Sequence, residues 1–141
     1  MGMYTGLRFK GIVKPEYRTI IKGIHNNNMA WAESGLVDDF VFDGRADFIP
    51  YGALCYMPKS WKYDDYIKHE FNEETGYWSF QCSLKNYDNT IEKFLDMIGD
   101  MVDSVEYCEY YYEEWDSSIR YELKHGTMMK TDDEFIKYWL R

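Results

Sequence analysis

The sequence predicts an α+β fold: an antiparallel sheet with two main helices on one face, extra strands and a short C-terminal helix. Three observations lead there. Alternating segments such as GLRFKGIVK (6–14) and YWSFQCSL (77–84) have the period of half-buried strands. Apolar stripes at i, i+3, i+4, i+7 mark two helices, at 17–24 and 91–102. Strands and helices are interleaved with no repeat, low-complexity tract or Gly/Ser linker between them, so residues 1–141 form one domain.

The first strand puts Leu7, Phe9 and Val13 on one side and Arg8 and Lys10 on the other. Pro15 suits the first turn of the helix that follows, because its fixed φ is already helical and its missing N–H is not needed there. Tyr17, Ile20, Ile21 and Ile24 make the buried stripe, and His25 with Asn26–Asn28 ends it. MAWAESG then reads as a short helix and VDDFVFDGRADFIP as a loop with aromatic anchors. YGALCYM (51–57) is strand-like and is closed by Pro58.

A hairpin follows. Its turn at 73–76 pairs Phe71 with Trp78, His69 with Phe80 and Ile67 with Cys82, and Gly76 supplies a positive φ. NTIEKFLDMIGDMV is the second helix, with Asn89 and Glu92 spaced as a capping box. Ile91, Phe94, Leu95, Ile98 and Val102 face inward, while Glu92, Asp96, Asp100 and Asp103 face outward. A last hairpin around Asp116-Ser117 sets Tyr112 against Tyr121 and Tyr110 against Leu123; Glu113 then meets Arg120, and Glu109 meets Lys124. A closing helix starts at Thr131, with Asp132, Asp133 and Glu134 in its first turn and Phe135, Ile136 and Trp139 docking it. The core order, β-α-β-β-α-β, is ferredoxin-like.

Charge is unevenly distributed. The net charge is −9, yet residues 1–28 carry Arg8, Lys10, Lys14, Arg18 and Lys22 against Glu16 alone. Between Phe94 and Ile119 there are eight acids and no lysine or arginine. Such a field repels nucleic acid and attracts basic protein surfaces. In VEYCEYYYEEWDSS, Tyr107, Tyr111 and Trp115 alternate onto the same predicted outward face as Glu109 and Glu113. Aromatic rings amid carboxylates make a surface suited to protein contacts.

Motifs for chemistry are lacking. His25, His69 and His125 lie in unrelated contexts, and Cys55, Cys82 and Cys108 form no CxxC pair, so no metal or cofactor is expected. The loop Asp43-Gly44-Arg45-Ala46-Asp47 lacks the spacing of a calcium site. No nucleophile elbow or phosphate-binding glycine loop occurs. The expectation is a non-enzymatic protein without cofactor. The N-terminus lacks an apolar signal core and no run suits a membrane span, so a cytoplasmic location is expected, without membrane partners.

The segment FLDMIGDMVDSVEYCEYYYEEWDSS (94–118), together with size and charge, resembles the small acidic proteins of phages and mobile elements, including anti-CRISPR proteins and DNA mimics. The resemblance covers about a sixth of the chain and is one of composition; the +4 N-terminal segment departs from it. It implies an inhibitor that occupies the basic, nucleic-acid-binding surface of a target. The partner-binding residues expected are Glu106, Tyr107, Glu109, Tyr111, Glu113, Glu114, Trp115 and Asp116, with Asp96, Asp100 and Asp103 extending the field. Two alternatives stand beside it. One is a self-associating assembly protein, a homodimer burying the same tyrosines. The other is a small ligand-binding domain or enzyme near Asp43, Asp47 and His69. An acidic domain whose charge serves only solubility would share the composition.

Overall fold

The computed structural model describes residues 4–36, 44–51, 67–86, 89–112 and 117–136. The architecture corrects the ferredoxin-like expectation. Among the described residues, six antiparallel strands form a curled half-barrel in the order β2-β3-β1-β4-β5-β6, accompanied by only two short α-helices. The strands are β1 (Thr5–Val13), β2 (Glu70–Phe71), β3 (Tyr77–Leu84), β4 (Val102–Tyr112), β5 (Ser117–Lys124) and β6 (Thr127–Ile136); the helices are α1 (Arg18–His25) and α2 (Thr90–Ile98). Both β3 and β4 run antiparallel to the central β1, so β3-α2-β4 is one split crossover. A second such crossover, which the ferredoxin arrangement needs, does not occur among the described residues. The predicted C-terminal helix is a further correction, because 131–136 belong to β6, whose Glu134, Phe135 and Ile136 pair with β5 beyond a register shift.

One face of the sheet holds the apolar core. Leu7, Phe9 and Val13 of β1, Trp78, Phe80 and Cys82 of β3, and Cys108 and Tyr110 of β4 pack against Ile21 and Ile24 of α1 and Ile91, Phe94, Leu95 and Ile98 of α2. Phe9 stacks on Phe80 with centroids 5.6 Å apart, and Phe94 meets Phe9, Trp31, Trp78 and Phe80 edge-on. Offset and edge-to-face pairs of this kind stabilise by about 0.5–1.5 kcal/mol each beyond the area they bury. The stripes read from sequence for both helices therefore face the core.

The β2–β3 hairpin has the predicted register, with Phe71 opposite Trp78. Gly76 adopts φ +82°, and a Cβ there would sit 2.4 Å from the Val13 carbonyl oxygen, so only glycine fits. Arg18 ties this turn to α1, donating from Nε to the Val13 carbonyl and from Nη1 to the Glu74 carbonyl, both at 2.9 Å. The last-hairpin register differs from expectation: Glu109 faces Arg120 and Tyr110 faces Ile119, with residues 113–116 between the strands. The displacement is four residues, an even number, so each side chain keeps its predicted face but changes partner.

The two bulges in β4 bend the sheet. Lys10 faces Tyr107 but Gly11 faces Val105, and Ile12 faces Ser104 but Val13 faces Val102, leaving Glu106 and Asp103 as extra residues. Bulges increase local twist and turn side chains away from the ladder, which accounts for both the curl and the exposure of these two acids. Helix α2 is capped differently from the prediction. Asn89 adopts φ +58° and makes no side-chain cap bond. Asn86 instead accepts from the Ile91 N–H at 2.7 Å and donates to Glu92 at 2.8 Å.

Candidate functional site

The second face of the sheet, where the sequence places Glu109, Tyr107 and Tyr111, was expected to lie open. It is closed over Glu109 and Tyr111, which are 0% and 1% exposed. This corrects the picture of a continuous outward patch. Alternation determines which side chains share a face, but not whether that face meets water. Glu113, Glu114, Trp115 and Asp116 lie outside the described residues, as does Asp43.

What the second face contains is a buried polar cluster. Arg8, 1% exposed, donates from Nε to Gln81 Oε1 at 3.0 Å and places Nη1 3.8 Å from Glu109 Oε1. Glu109 also accepts from the Tyr107 and Ser118 hydroxyls. Arg120 lies over the Tyr107 ring, 5.2 Å from its centroid. Gln81 takes a further bond from the Ile67 N–H at 3.4 Å. The cluster draws on four strands and so depends on the sheet being assembled. Each charge taken out of water has an opposite charge and hydrogen-bond partners, which makes burial tolerable. Of these residues the sequence singled out Glu109 and Tyr107 as contacts and Arg120 as the partner of Glu113; Arg8 was assigned to that face but given no partner. Nothing in local spacing links positions 8, 81, 109 and 118.

A second cluster surrounds the end of α1. His25 is buried, and its ring stacks on that of His69 with centroids 3.9 Å apart and planes 12° apart. Trp78 Nε1 donates to His25 Nδ1 at 3.2 Å. His69 Nε2 donates to the His25 carbonyl at 3.3 Å, and Tyr51 Oη donates to that carbonyl and to the Ile24 carbonyl. Burial first, and the His69 charge second, hold the His25 pKa down to about 4. The sequence placed both histidines yet gave no sign that they meet, since they are 44 residues apart. His125 occupies the two-residue β5–β6 turn with Gly126, both at positive φ, as a type I′ turn requires.

Among the described residues, no three His, Cys, Asp or Glu side chains are grouped so as to hold a metal ion. Cys82 and Cys108 are fully buried, and desolvation raises both thiol pKa values, so they are poor nucleophiles. Asp47 is exposed in the 3-10 turn Gly44–Phe48. Tyr110 packs its hydroxyl 3.3 Å from Glu92, joining β4 to α2, and burial raises its pKa.

The acids that do face solvent lie elsewhere. Asp96 and Asp100 project from α2 and the residues just after it, and Asp103 and Glu106 from the two bulges of β4; all four are exposed. They follow one another through the tight α2–β4 corner, where Gly99 approaches the β5–β6 turn so closely that a Cβ would lie 2.8 Å from the Gly126 carbonyl oxygen. No helix among the described residues is long and apolar enough to cross a membrane. Comparison with known proteins finds no matching family model, no similar curated protein and no similar solved structure.

Proposed function

We propose that this chain is a non-enzymatic, cytoplasmic interaction protein whose acidic ridge engages a basic protein surface otherwise used for nucleic acid. An inhibitor of the anti-CRISPR or DNA-mimic type would work in this way. The observation that carries the reading is the segregation of carboxylates on β4 and the helix before it. Glu109, turned inward, is paired with Arg8, whereas Asp96, Asp100, Asp103 and Glu106 are exposed in a stretch without lysine or arginine. Bulges that push acids out of a ladder place charge at the surface without burdening the core. Glu109 and Tyr111 leave the proposed contact set, and Tyr107, half-buried, stays at its margin.

The test is affinity capture with the whole chain and with a variant carrying Asp96→Lys, Asp100→Lys, Asp103→Lys and Glu106→Lys. Captured proteins should be basic, should be released by salt and by added duplex DNA, and should be lost with the variant. Retention of the same partners by a folded variant would end this reading.

Self-association has one observation in its favour. Strand β6 is ten residues long and lies at the end of the sheet order, where a second copy could add its own edge. Sedimentation equilibrium distinguishes the two, because a dimer that persists in high salt belongs to the second reading alone.

A further inference from the structure

We propose that the stacked His25–His69 pair is an acid-operated latch: proton uptake breaks the stack and the Trp78 hydrogen bond, releasing residues 46–51 from the end of α1. The argument begins with the indole. A tryptophan N–H can only donate, so His25 Nδ1 must be the acceptor and its ring must be neutral, with the proton on Nε2. A second proton has to go onto Nδ1, where it meets the indole N–H head-on. His69 is built differently. Its Nε2 donates to a carbonyl, so protonation at its other nitrogen leaves that bond intact while placing a charge flat against the neighbouring ring. Charge on the His69 ring would thus press on the His25 ring, whose Nδ1 is already taken by the indole N–H.

The latch holds a particular segment. The His25 carbonyl accepts from both His69 and Tyr51, and Trp31 Nε1 donates to the Ile49 carbonyl at 2.7 Å. Those bonds fix the Gly44–Phe48 turn and the residues after it against Trp31; Trp31 and Ile49 are each 1% exposed. Beside the segment lies a cavity of about 350 Å³, lined among others by Ile24, Trp31, Asp47 and Tyr51, which gives it room to shift.

The groups facing His25 are His69 and Phe71 from β2 and the residues before it, Trp78 from β3, and Tyr51. On its own helix Lys22 stands one turn back, paired with Glu73 at 2.9 Å. Glu70 adjoins His69 in β2, and Glu33 and Asp47 line the cavity that Tyr51 shares. Because the closed-state His25 pKa of about 4 lies below the ordinary 6.5, the latch is fully closed above pH 6.5 and weakens as pH falls towards 4.

Amide hydrogen exchange on the full chain between pH 8 and 4, corrected for intrinsic rates, tests this. The Ile49 amide, bonded to the Ala46 carbonyl at 3.0 Å, should gain opening by up to about tenfold per pH unit below 6.5 while β1 and β3 amides stay protected. His25→Asn keeps an acceptor for Trp78 but does not titrate, so the transition should vanish. His69→Gln keeps the donor without the charge, so the transition should move to lower pH. A flat Ile49 profile, simultaneous loss across the sheet, or an unaltered transition in His25→Asn would overturn the proposal. Should that variant not fold, an unshifted midpoint in His69→Gln would overturn it equally.

Discussion

Removing the carboxylate of Glu109 takes away the countercharge that the buried Arg8 guanidinium faces across β1 and β4. The two side chains are 1% and 0% exposed with 3.8 Å between Nη1 and Oε1. At an effective dielectric constant of about 20, charges at that separation attract by about 4 kcal/mol. Breaking buried pairs by removing one partner costs about 3–5 kcal/mol, in agreement. Glu109→Ala should therefore lose about 3–5 kcal/mol in urea denaturation followed by tryptophan fluorescence. For a chain of this size that corresponds to a Tm lower by roughly 10 °C. The double variant Arg8→Met/Glu109→Leu removes both charges with similar volume, and Gln81 keeps its bond from Ile67. It should recover to within about 1 kcal/mol of the wild type, since apolar replacement of a whole buried pair is often neutral. Glu106→Ala, three residues away on a bulge and exposed, should change stability by less than about 0.5 kcal/mol. Refutation would be a Glu109→Ala loss no larger than that of Glu106→Ala, or a double variant no better than the single one.

Other expectations follow from single contacts. Phe94→Ala removes the ring on which Phe9, Trp31, Trp78 and Phe80 converge and should cost about 3–5 kcal/mol in the same denaturation assay. Asn86→Ala deprives α2 of its cap and should cost about 1 kcal/mol, whereas Asn89→Gly, relieving φ +58°, should be neutral or slightly stabilising. Gly76→Ala should destabilise by more than about 1 kcal/mol, read as a lower urea midpoint, because the left-handed strain adds to a clash with Val13. Cys82 and Cys108 should resist a thiol reagent in the native protein and react on unfolding, as site-resolved mass spectrometry would show.

The features legible in the sequence were those determined over short range. The stripe Tyr17–Ile24 and the register of Phe71 on Trp78 depend on periodicity and on one turn glycine, and both are as read. Across the β4–β5 connection, local pattern loses its hold. A tight turn at Asp116-Ser117 gives Arg120 to Glu113, but residues 113–116 stand between the strands and Arg120 meets Glu109. Asp132, Asp133 and Glu134 have the chemistry of a helix start, yet the segment belongs to β6 and Glu134 pairs with Ile119, since a strand there satisfies its backbone along an existing edge. The hairpin signal there was His125-Gly126, a two-residue loop whose positive φ values select the turn.

The candidate site shows the limit most clearly. Glu109 and Glu106 are both glutamates amid tyrosines in one acidic run, and composition treats them alike. A bulge makes the difference: it takes Glu106 out of the ladder and into solvent, while Glu109 stays in register between Arg8 and Arg120. Arg8 comes from the basic N-terminal segment that seemed at odds with an acidic mimic, and part of that segment's charge is used inside the fold. Because Glu109 is buried with it, the net surface charge is unchanged, but the basic group is withdrawn from beside the acids that remain exposed. Any partner that reads this surface electrostatically meets Asp96, Asp100, Asp103 and Glu106 with Arg8 withdrawn from the surface, and salt should weaken its association rate more than its dissociation rate.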